Sequence, residues 1–323
     1  MAVYTHLGSE DLAALIAEFD VGELRSAKGI AEGVSNSNWL IETSGADGAG
    51  ARYILTMYEF RIDTTELPFF LGLLDHLAAK SCPVPSTIHD RAGRLFGELD
   101  GKCLALIEYL PGVSVSKPTA AQAHAVGAAL AQVHLAGADY PASRANAMGP
   151  AEWQRLAVEC GDGLIDIDRD LAETTAEALP RLVETWPIDL PRSVIHADLF
   201  PDNVLMLGNT VTGLIDFYFA CTDTMAYDIA VTHCAWCFGG DGAFDPALST
   251  ALLSGYQSVR ALSRAELAAL SILAQGAALR FTLSRAYDWL NTPADALVTR
   301  KDPLPMLHRL KFYADPANAG IFA

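Results

Sequence analysis

The sequence predicts an α+β protein in two parts, a small antiparallel sheet followed by a larger, mainly helical region. Turn signals alternate with short β-rich runs in the first third of the chain, whereas Ala- and Leu-rich segments with helical spacing dominate the rest. At 323 residues and 51% hydrophobic, the chain is long and apolar enough for two domains with buried cores. The change of character falls at Tyr109-Leu-Pro-Gly112, so we expect one unit over 1–110 and a second over 111–323.

The first unit is predicted to open with a helix and to continue mainly as strands. Ser9 is expected to cap the opening helix, because acidic residues follow it in the first turn. β-Branched and aromatic residues are enriched in the later runs, and turn residues separate them. In order, these runs predict strands over Leu24–Ile30, Val34–Thr43 and Tyr53–Tyr58, a helix capped by Thr65 that reaches about Lys80, and strands over Thr87–Ile88, Leu95–Leu99 and Lys102–Tyr109.

The second unit is predicted to be helical except for one group of short strands. The helices are expected over Thr119–His134, Glu152–Cys160, Leu171–Trp186, Tyr227–Phe238, Pro246–Val259 and Arg264–Leu290. Short β-runs interrupt them at Val194-Ile195, Val204–Leu207 and Val211–Ile215, and Gly208-Asn209 between the last two is typical of a hairpin turn. Polar residues follow these strands, so we expect the functional site there.

Composition and charge exclude several classes of function. The net charge of −17 argues against binding to nucleic acid or to an anionic membrane, since both depend on Lys and Arg. Polar residues interrupt the apolar stretches over 120–138 and 267–281, so no membrane span is expected. The first residues lack the basic and apolar regions of a secretory signal, and six Cys without framework spacing are typical of a reducing compartment. These features predict a cytoplasmic protein.

One motif carries most of the predicted chemistry. His196-Ala-Asp198-Leu-Phe-Pro-Asp-Asn203 follows a β-run, and Asp216 follows the hairpin, which is the D-x-x-x-x-N and later Asp pattern of protein-kinase catalytic loops. Phosphoryl transfer needs a hydroxyl held in line and a divalent metal that neutralises the phosphates, and Mg²⁺ prefers oxygen ligands. The pattern therefore predicts Asn203 and Asp216 as metal ligands and Asp198 as the group that orients the hydroxyl and accepts its proton. The alternative is a polar loop capped by its Asp and Asn side chains.

A glycine-bearing turn near the N-terminus gives a second, less specific signal. Its backbone amides could cover phosphates between two strands. It lacks the G-K-[ST] ending of a P-loop and has two glycines instead of three, so an ordinary hairpin is the alternative. The predicted nucleotide-binding residues here are Gly29, Gly33, Asn36, Ser37 and Asn38.

On these residues the chain resembles the aminoglycoside-phosphotransferase-like branch of the protein-kinase-like fold, and within it the homoserine kinases. The resemblance covers nearly the whole chain and is carried by residues 28–40, 54–61, 67–74, 194–204, 213–230 and 279–293. It implies ATP- and Mg²⁺-dependent phosphorylation of the γ-hydroxyl of L-homoserine, a step toward threonine. By motif position it also implies the roles given above for Asp198, Asn203 and Asp216, and an adenine-contacting hinge of Glu108, Tyr109 and Leu110.

The chain departs from the family pattern at one position. Kinases of this fold carry Lys or Arg on the third strand to hold the phosphates, but the matching residue is Thr56. Lys28, Arg52 and Arg61 are candidate replacements, and Glu66 is a candidate for the helix acid that pairs with such a cation. The departure keeps a non-catalytic ATP-binding module as an alternative. Kinases of choline, methylthioribose or an aminoglycoside are further alternatives, which share the mechanism and differ in the pocket.

The implied acceptor is a zwitterion, so its pocket should offer an acid to the ammonium and a basic fork to the carboxylate. Arg280, Arg285 and Asp288 have this chemistry and share one broad face of a predicted helix. A surface or interlobe salt bridge is the alternative for these three residues.

Three further features are predicted to be structural. Cys234 and Cys237 lie on one helix face without a second C-x-x-C, which favours core packing over a metal or redox site. Asp228 is predicted to accept hydrogen bonds that brace the catalytic loop. His124 and His134 are expected to be packing or solvent residues.

Overall fold

The computed structural model describes residues 7–30, 36–59, 63–293 and 300–322. The chain forms two compact units, Met1–Pro111 and Gly112–Ala323.

The N-terminal unit contains a six-stranded sheet in which every strand pair is antiparallel. Its elements are α1 (Ser9–Ile16), β1 (Leu24–Ile30), β2 (Asn36–Thr43), β3 (Ala51–Tyr58), the 3₁₀ turn Thr64–Glu66, α2 (Leu67–Ala79), β4 (Thr87–Ile88), β5 (Gly97–Leu99) and β6 (Lys102–Glu108). The strand order is β1-β2-β3-β6-β4, with β5 also paired to β6. The register places Thr56 of β3 between Asn38 of β2 and Ala105 of β6.

One face of this sheet forms an apolar core with α1. Alternate residues of each central strand point to the same face, because the side-chain period of a strand is two. The buried side chains on this face are Trp39 and Ile41 from β2, Leu55 and Met57 from β3, and Leu104 and Leu106 from β6, and they pack with Leu12, Leu15 and Ile16 of α1. The alternation therefore fixes the register of the sheet.

Both predicted helix caps in this unit are wrong by one or two residues. Gly8 is the N-cap of α1, and Ser9 is its first helical residue. Asp63 caps the turn before α2, since its carboxylate accepts a hydrogen bond from the Thr65 amide at 2.9 Å. In each case a neighbouring residue has the extended backbone that an N-cap requires.

The C-terminal unit is mainly helical, with two small sheets. Its elements are α3 (Ala120–Gly137), α4 (Pro150–Cys160), α5 (Gly163–Ile167), α6 (Arg169–Glu184), β7 (Arg192–Ile195), the 3₁₀ turn Pro201–Asn203, β8 (Val204–Leu207), β9 (Thr210–Leu214), the 3₁₀ turn Phe217–Phe219, β10 (Cys221–Thr224), α7 (Met225–Trp236), α8 (Pro246–Val259), α9 (Arg264–Asn291), α10 (Leu304–Ala314) and the 3₁₀ turn Pro316–Asn318. β7 pairs with β10, and β8 pairs with β9.

The long helix α9 is the core of this unit. Ser263 and Glu266 form a capping box at its start, and most residues from Leu270 to Leu283 are buried. It is long and apolar enough to cross a membrane, but 67% of its most apolar window is buried by the rest of the unit. The apolar content of α9 is therefore accounted for by core packing.

Helices α3 and α8 approach so closely that glycine is required at their contact. A methyl group added at Gly255 of α8 would overlap the backbone carbonyl of His124, and one at Gly127 of α3 would overlap the carbonyl of Leu252. The contact therefore leaves no room for a side chain at either glycine.

We expect Gly255→Ala to destabilise the protein by about 1–3 kcal/mol, because the two helices must separate to admit the methyl group. Urea unfolding measures the change. The control is Gly240→Ala, where an added methyl group meets nothing within 4 Å. Equal stability of the two variants would contradict the described contact.

Candidate active site

The catalytic loop, residues 196–203, follows β7 and is hydrogen-bonded to the segment after the β8–β9 hairpin. The amide of Ile215 donates to the carbonyl oxygen of Asn203 at 3.0 Å, and the Nε2 atom of His196 lies 2.9 Å from the Ile215 carbonyl oxygen. These two bonds hold the start and the end of the loop beside the residue that precedes Asp216. The structure thus brings together the three polar residues that the motif predicted.

Asn203 is oriented by Asp198. Its Nδ2 donates to the Asp198 carbonyl oxygen at 2.8 Å and to Asp198 Oδ2 at 3.3 Å. No hydrogen bond within the described part of the chain uses Asn203 Oδ1 or the Asp216 carboxylate. These oxygens are hard donors of the type that Mg²⁺ prefers, so the two residues fit a magnesium site. Asp216 has a left-handed backbone conformation, with φ of 67°.

Both acids have raised pKa values. Burial raises the pKa of Asp198 to about 7, and the Asp216 charge adds to the rise while Arg280 opposes it. Burial also raises the pKa of Asp216 to about 6. Asp198 is half-buried and Asp216 keeps an exposed surface, so water moderates the cost of charging them. A carboxyl group with a pKa near neutrality is suited to proton transfer.

His196 is buried and neutral. Its Nδ1 accepts a hydrogen bond from the Asp198 amide at 3.2 Å, which leaves the proton on Nε2 for the Ile215 carbonyl oxygen. Burial lowers the pKa of the ring, and the ring packs against Phe217 at a centroid distance of 4.4 Å. His196 is therefore a structural part of the loop.

Asp228 of α7 braces the catalytic loop, and this prediction is confirmed. Its Oδ2 accepts from the His196 amide and its Oδ1 from the Ala197 amide, each at 2.7 Å. His134 Nε2 donates to Oδ2 at 3.0 Å, and His134 Nδ1 lies 2.8 Å from the Tyr256 hydroxyl. Burial acts to raise the pKa of Asp228, but these hydrogen bonds and the nearby imidazoles outweigh it and lower the pKa. The carboxylate is therefore charged and fully paired.

His134 has a more specific role than the sequence indicated. We expected it to be a packing or solvent residue, but it is fully buried and links α3 to Asp228. The sequence contains no local signal for this contact, because the two residues are 94 positions apart.

Arg280 lies beneath the loop. Its side chain is buried, and its guanidinium group donates to the Ala197 carbonyl oxygen. The same group lies 5.2 Å from the Phe219 ring centroid and 4.5 Å from that of Phe281. This environment favours a role in holding the loop over the predicted recognition of a substrate carboxylate.

The other predicted substrate residues lie further along α9. Arg285 is half-buried and donates to the Asp302 carbonyl oxygen at 3.2 Å. Asp288 is half-buried one turn later. Lys301, which the sequence did not indicate, lies 3.5 Å from Asp202 of the catalytic loop.

The predicted nucleotide-binding residues have different environments. Gly29 lies on β1 opposite Trp39, and Gly33 lies outside the described residues. Ser37 is buried, and its hydroxyl donates to Glu59 Oε1 at 2.7 Å. Asn36 is also buried. The hydroxyl of Ser37 is therefore occupied, so this residue would contact phosphate through its backbone.

Glu108 is the last residue of β6. Its carboxylate accepts from the Ser86 amide at 3.2 Å and from the Ser86 hydroxyl at 2.9 Å. Tyr109 and Leu110 follow the strand, and Arg52 lies 5.6 Å from the Tyr109 ring centroid. The side chain of Glu108 thus anchors the end of the strand.

Thr56 lies at the position where the resemblance implied a cation, and its side chain makes a hydrogen bond to an uncharged group. Its hydroxyl donates to Asn38 Oδ1 at 2.8 Å. Among the candidate cations, Lys28 is exposed on β1, Arg52 pairs with Glu42 at 3.4 Å, and Arg61 lies outside the described residues. Sequence reasoning also missed the ion pair between Lys102 and Glu59, whose carboxylate is fully buried.

The Cys234 and Cys237 side chains are fully buried in the core, as predicted. Within the described ranges, no group of three or more His, Cys, Asp or Glu side chains could hold a metal ion. A magnesium ion held by Asn203 and Asp216 would therefore have one amide and one carboxylate as protein ligands, and it would need phosphate oxygens as further ligands.

The fold and the site define a phosphotransferase of the protein-kinase-like fold. The solved structure of "Amicoumacin kinase hAmiN in complex with AMP-PNP, Ca2+ and Ami" superposes with a TM-score of 0.72, 14% sequence identity, and coverage of 95% of this chain and 94% of that one. This similarity confirms the predicted fold class, an antiparallel N-terminal sheet followed by a helical region.

Residues 26–262 match the model of the phosphotransferase enzyme family, and the chain belongs to that family. The homoserine kinase of Granulibacter bethesdensis is 49% identical over 322 residues, which cover 100% of this chain and 99% of that protein. The homoserine kinase of Acidiphilium cryptum is 50% identical over 319 residues, 99% of this chain and 98% of that protein. The predicted resemblance to the homoserine kinases is confirmed.

We expect Asp228→Asn to lower kcat about 100-fold and to destabilise the protein by about 3–5 kcal/mol. The amide cannot accept from both loop amides and from His134, so the loop loses its position. Steady-state kinetics and urea unfolding measure the two effects. Asp166→Asn, an exposed change on α5, is the control. A folded Asp228→Asn protein with full kcat would contradict the bracing role.

The raised pKa of Asp198 predicts a pH-dependent effect of Asp198→Asn. The folded protein binds this proton more tightly than the unfolded chain does, since the pKa rises from 3.8 to about 7 on folding. The wild type therefore loses stability as pH rises through this range, and the neutral variant does not.

The free energy of unfolding of Asp198→Asn, relative to that of the wild type, should increase between about pH 4 and pH 7 by at most about 1.4 kcal/mol per pH unit. Above this range the difference should level off. Urea unfolding of the nucleotide-free protein measures it, with Asp166→Asn as the control. A constant difference across this range would show that folding does not raise the pKa of Asp198.

Proposed function

We propose that this chain transfers the γ-phosphoryl group of ATP to the γ-hydroxyl of L-homoserine, with Mg²⁺, in the cytoplasm. The observation that carries the proposal is the arrangement of Asp198, Asn203 and Asp216 in a chain that is 49% identical over its full length to a homoserine kinase. The products are O-phospho-L-homoserine and ADP.

Asp198 is the proposed catalytic base. It orients the acceptor hydroxyl and takes its proton as the oxygen attacks the γ-phosphorus and the bond to the β-phosphate oxygen breaks. A pKa of about 7 leaves part of the population ionised and able to accept a proton at neutral pH. Asp228 accepts a hydrogen bond from the Ala197 amide, and Arg280 donates one to the Ala197 carbonyl oxygen. The base is therefore positioned before the substrate binds.

Asn203 and Asp216 are the proposed magnesium ligands. Asn203 Nδ2 bonds to Asp198, so its Oδ1 remains available, and the Asp216 carboxylate is close by through the Ile215–Asn203 bond. When bound, Mg²⁺ supplies positive charge that neutralises the phosphate oxygens. A cation would also favour the ionised form of Asp216, whose pKa burial has raised.

The N-terminal unit is the proposed nucleotide-binding unit, and the C-terminal unit is the proposed catalytic and substrate-binding unit. Backbone groups of the predicted residues Gly29, Gly33, Asn36, Ser37 and Asn38 are assigned to the phosphates, and Gly33 lies outside the described residues. The backbone from Glu108 to Leu110 is assigned to the adenine, since the Glu108 side chain is occupied by Ser86. Neither nucleic acid nor a membrane is a proposed partner.

A panel of acceptors tests the substrate. Purified protein with ATP and Mg²⁺ is offered L-homoserine, L-serine, L-threonine, choline, methylthioribose and kanamycin, and ADP release is measured. We expect the highest kcat/KM with L-homoserine. A preference for another acceptor would retain the mechanism and reject this substrate, and no turnover with any acceptor would reject the catalytic proposal.

We expect Asp216→Asn to weaken binding of Mg·ATP about tenfold or more, because the carboxylate contact with the metal is lost. Calorimetry of nucleotide binding with Mg²⁺ and with EDTA measures this. Binding in EDTA should be nearly unchanged. An equal loss in both conditions would argue against a ligand role for Asp216.

A further inference from the structure

Two cationic side chains flank the ring of Phe200, two residues after the proposed base. The Arg285 guanidinium carbon and the Lys301 Nζ each lie 5.9 Å from the ring centroid. Phe281 contacts the same ring edge-on, at a centroid distance of 4.8 Å. The catalytic loop thus carries an aromatic support for two positive charges from distant parts of the chain.

Both cations interact electrostatically with the catalytic loop. Burial raises the pKa of Asp198 and of Asp216, and Lys301 opposes the rise in both. Burial and the charge of Arg309 lower the pKa of Arg285, while Asp198 and Asp202 oppose this. These effects place Lys301 and Arg285 within electrostatic reach of the reacting centre.

Each cation has donors available for a ligand. Within the described part of the chain, Arg285 makes one hydrogen bond, from a terminal nitrogen to the Asp302 carbonyl oxygen. Besides its contact with the Phe200 ring, Lys301 makes one polar contact within the described residues, an exposed pair with Asp202 at 3.5 Å, and such pairs contribute little to stability. An anion beside Arg285 would also relieve its repulsion by Arg309.

Arg280 does not offer the same possibility. It is buried, and its guanidinium group is held by the Ala197 carbonyl oxygen and two aromatic rings. Arg285 is half-buried and Lys301 is exposed, so a small solute can reach them.

We propose that Arg285 and Lys301 bind the carboxylate of the amino-acid acceptor next to Phe200, and that Arg280 is a positioning residue of the catalytic loop. This inference rests on the proposed function, because it assigns two residues to the carboxylate of L-homoserine, the group that a simple amino alcohol lacks. The guanidinium group of Arg285 can offer two parallel donors to the substrate carboxylate, and the ammonium group of Lys301 adds a second positive charge.

The test compares L-homoserine with 3-amino-1-propanol, which keeps the hydroxyl and the ammonium but lacks the carboxylate. We expect Lys301→Met and Arg285→Gln each to lower kcat/KM for L-homoserine about tenfold or more, through KM. The KM for ATP should remain nearly unchanged. The kcat/KM for 3-amino-1-propanol should fall much less than that for L-homoserine, because only the effect of the lost charge on the catalytic acids acts on this acceptor. Arg300→Met is the matched control, since Arg300 is adjacent but contacts Trp289 instead.

Calorimetric binding of L-homoserine gives a readout that does not depend on turnover, and both variants should bind it more weakly. An equal loss with both acceptors would overturn the inference, as would unchanged kinetics and binding for Lys301→Met, an exposed substitution that should leave folding intact. If the wild type neither binds nor phosphorylates L-homoserine, the proposed function fails first and the inference fails with it. If the wild type uses L-homoserine and the variants are unaffected, only the inference fails.

Discussion

The catalytic loop depends on one buried carboxylate, that of Asp228. Taking this charge out of water is costly, and it is offset by two loop amides and the imidazole of His134. The hydrogen bonds from these two backbone amides also hold Ala197 in a left-handed conformation with φ of 61°, which is unfavourable for a residue with a side chain. The Asp228 carboxylate thereby fixes the loop backbone immediately before Asp198.

The charge distribution near the site differs from that of the whole chain. The chain has a net charge of −17, yet Arg280, Arg285 and Lys301 all lie within electrostatic reach of Asp198. Arg280 and Lys301 partly offset the effect of burial on the pKa of Asp198, and Lys301 does the same for Asp216. Arg285 and Lys301 also have donors available for an anionic ligand. In the N-terminal unit, Thr56 makes a neutral contact, and Lys102 is paired with Glu59.

Local sequence patterns predicted the helices and the loop motif, which depend on residues that are close together in the chain. The 3.6-residue periodicity gave the bounds of α8 as observed, and the Asp198, Asn203 and Asp216 spacing located the loop. Strand β10 was missed because it is short and pairs with β7, where the partner residues are 26 positions apart for Ile195 and Cys221 and 32 apart for Arg192 and Thr224. The contacts of His134, Arg280 and Lys301 depend on residues 83 to 99 positions distant, which no local pattern records.

The most direct test of the account is phosphoryl transfer by Asp198→Ala. Phosphorus NMR follows the phosphomonoester formed from ATP and L-homoserine, and calorimetry confirms that the variant still binds nucleotide. We predict that the rate falls about 100-fold or more while nucleotide affinity is retained. An unchanged rate in the folded, nucleotide-binding variant would contradict the role of Asp198 as the base and the function of the loop that Asp228 holds in place.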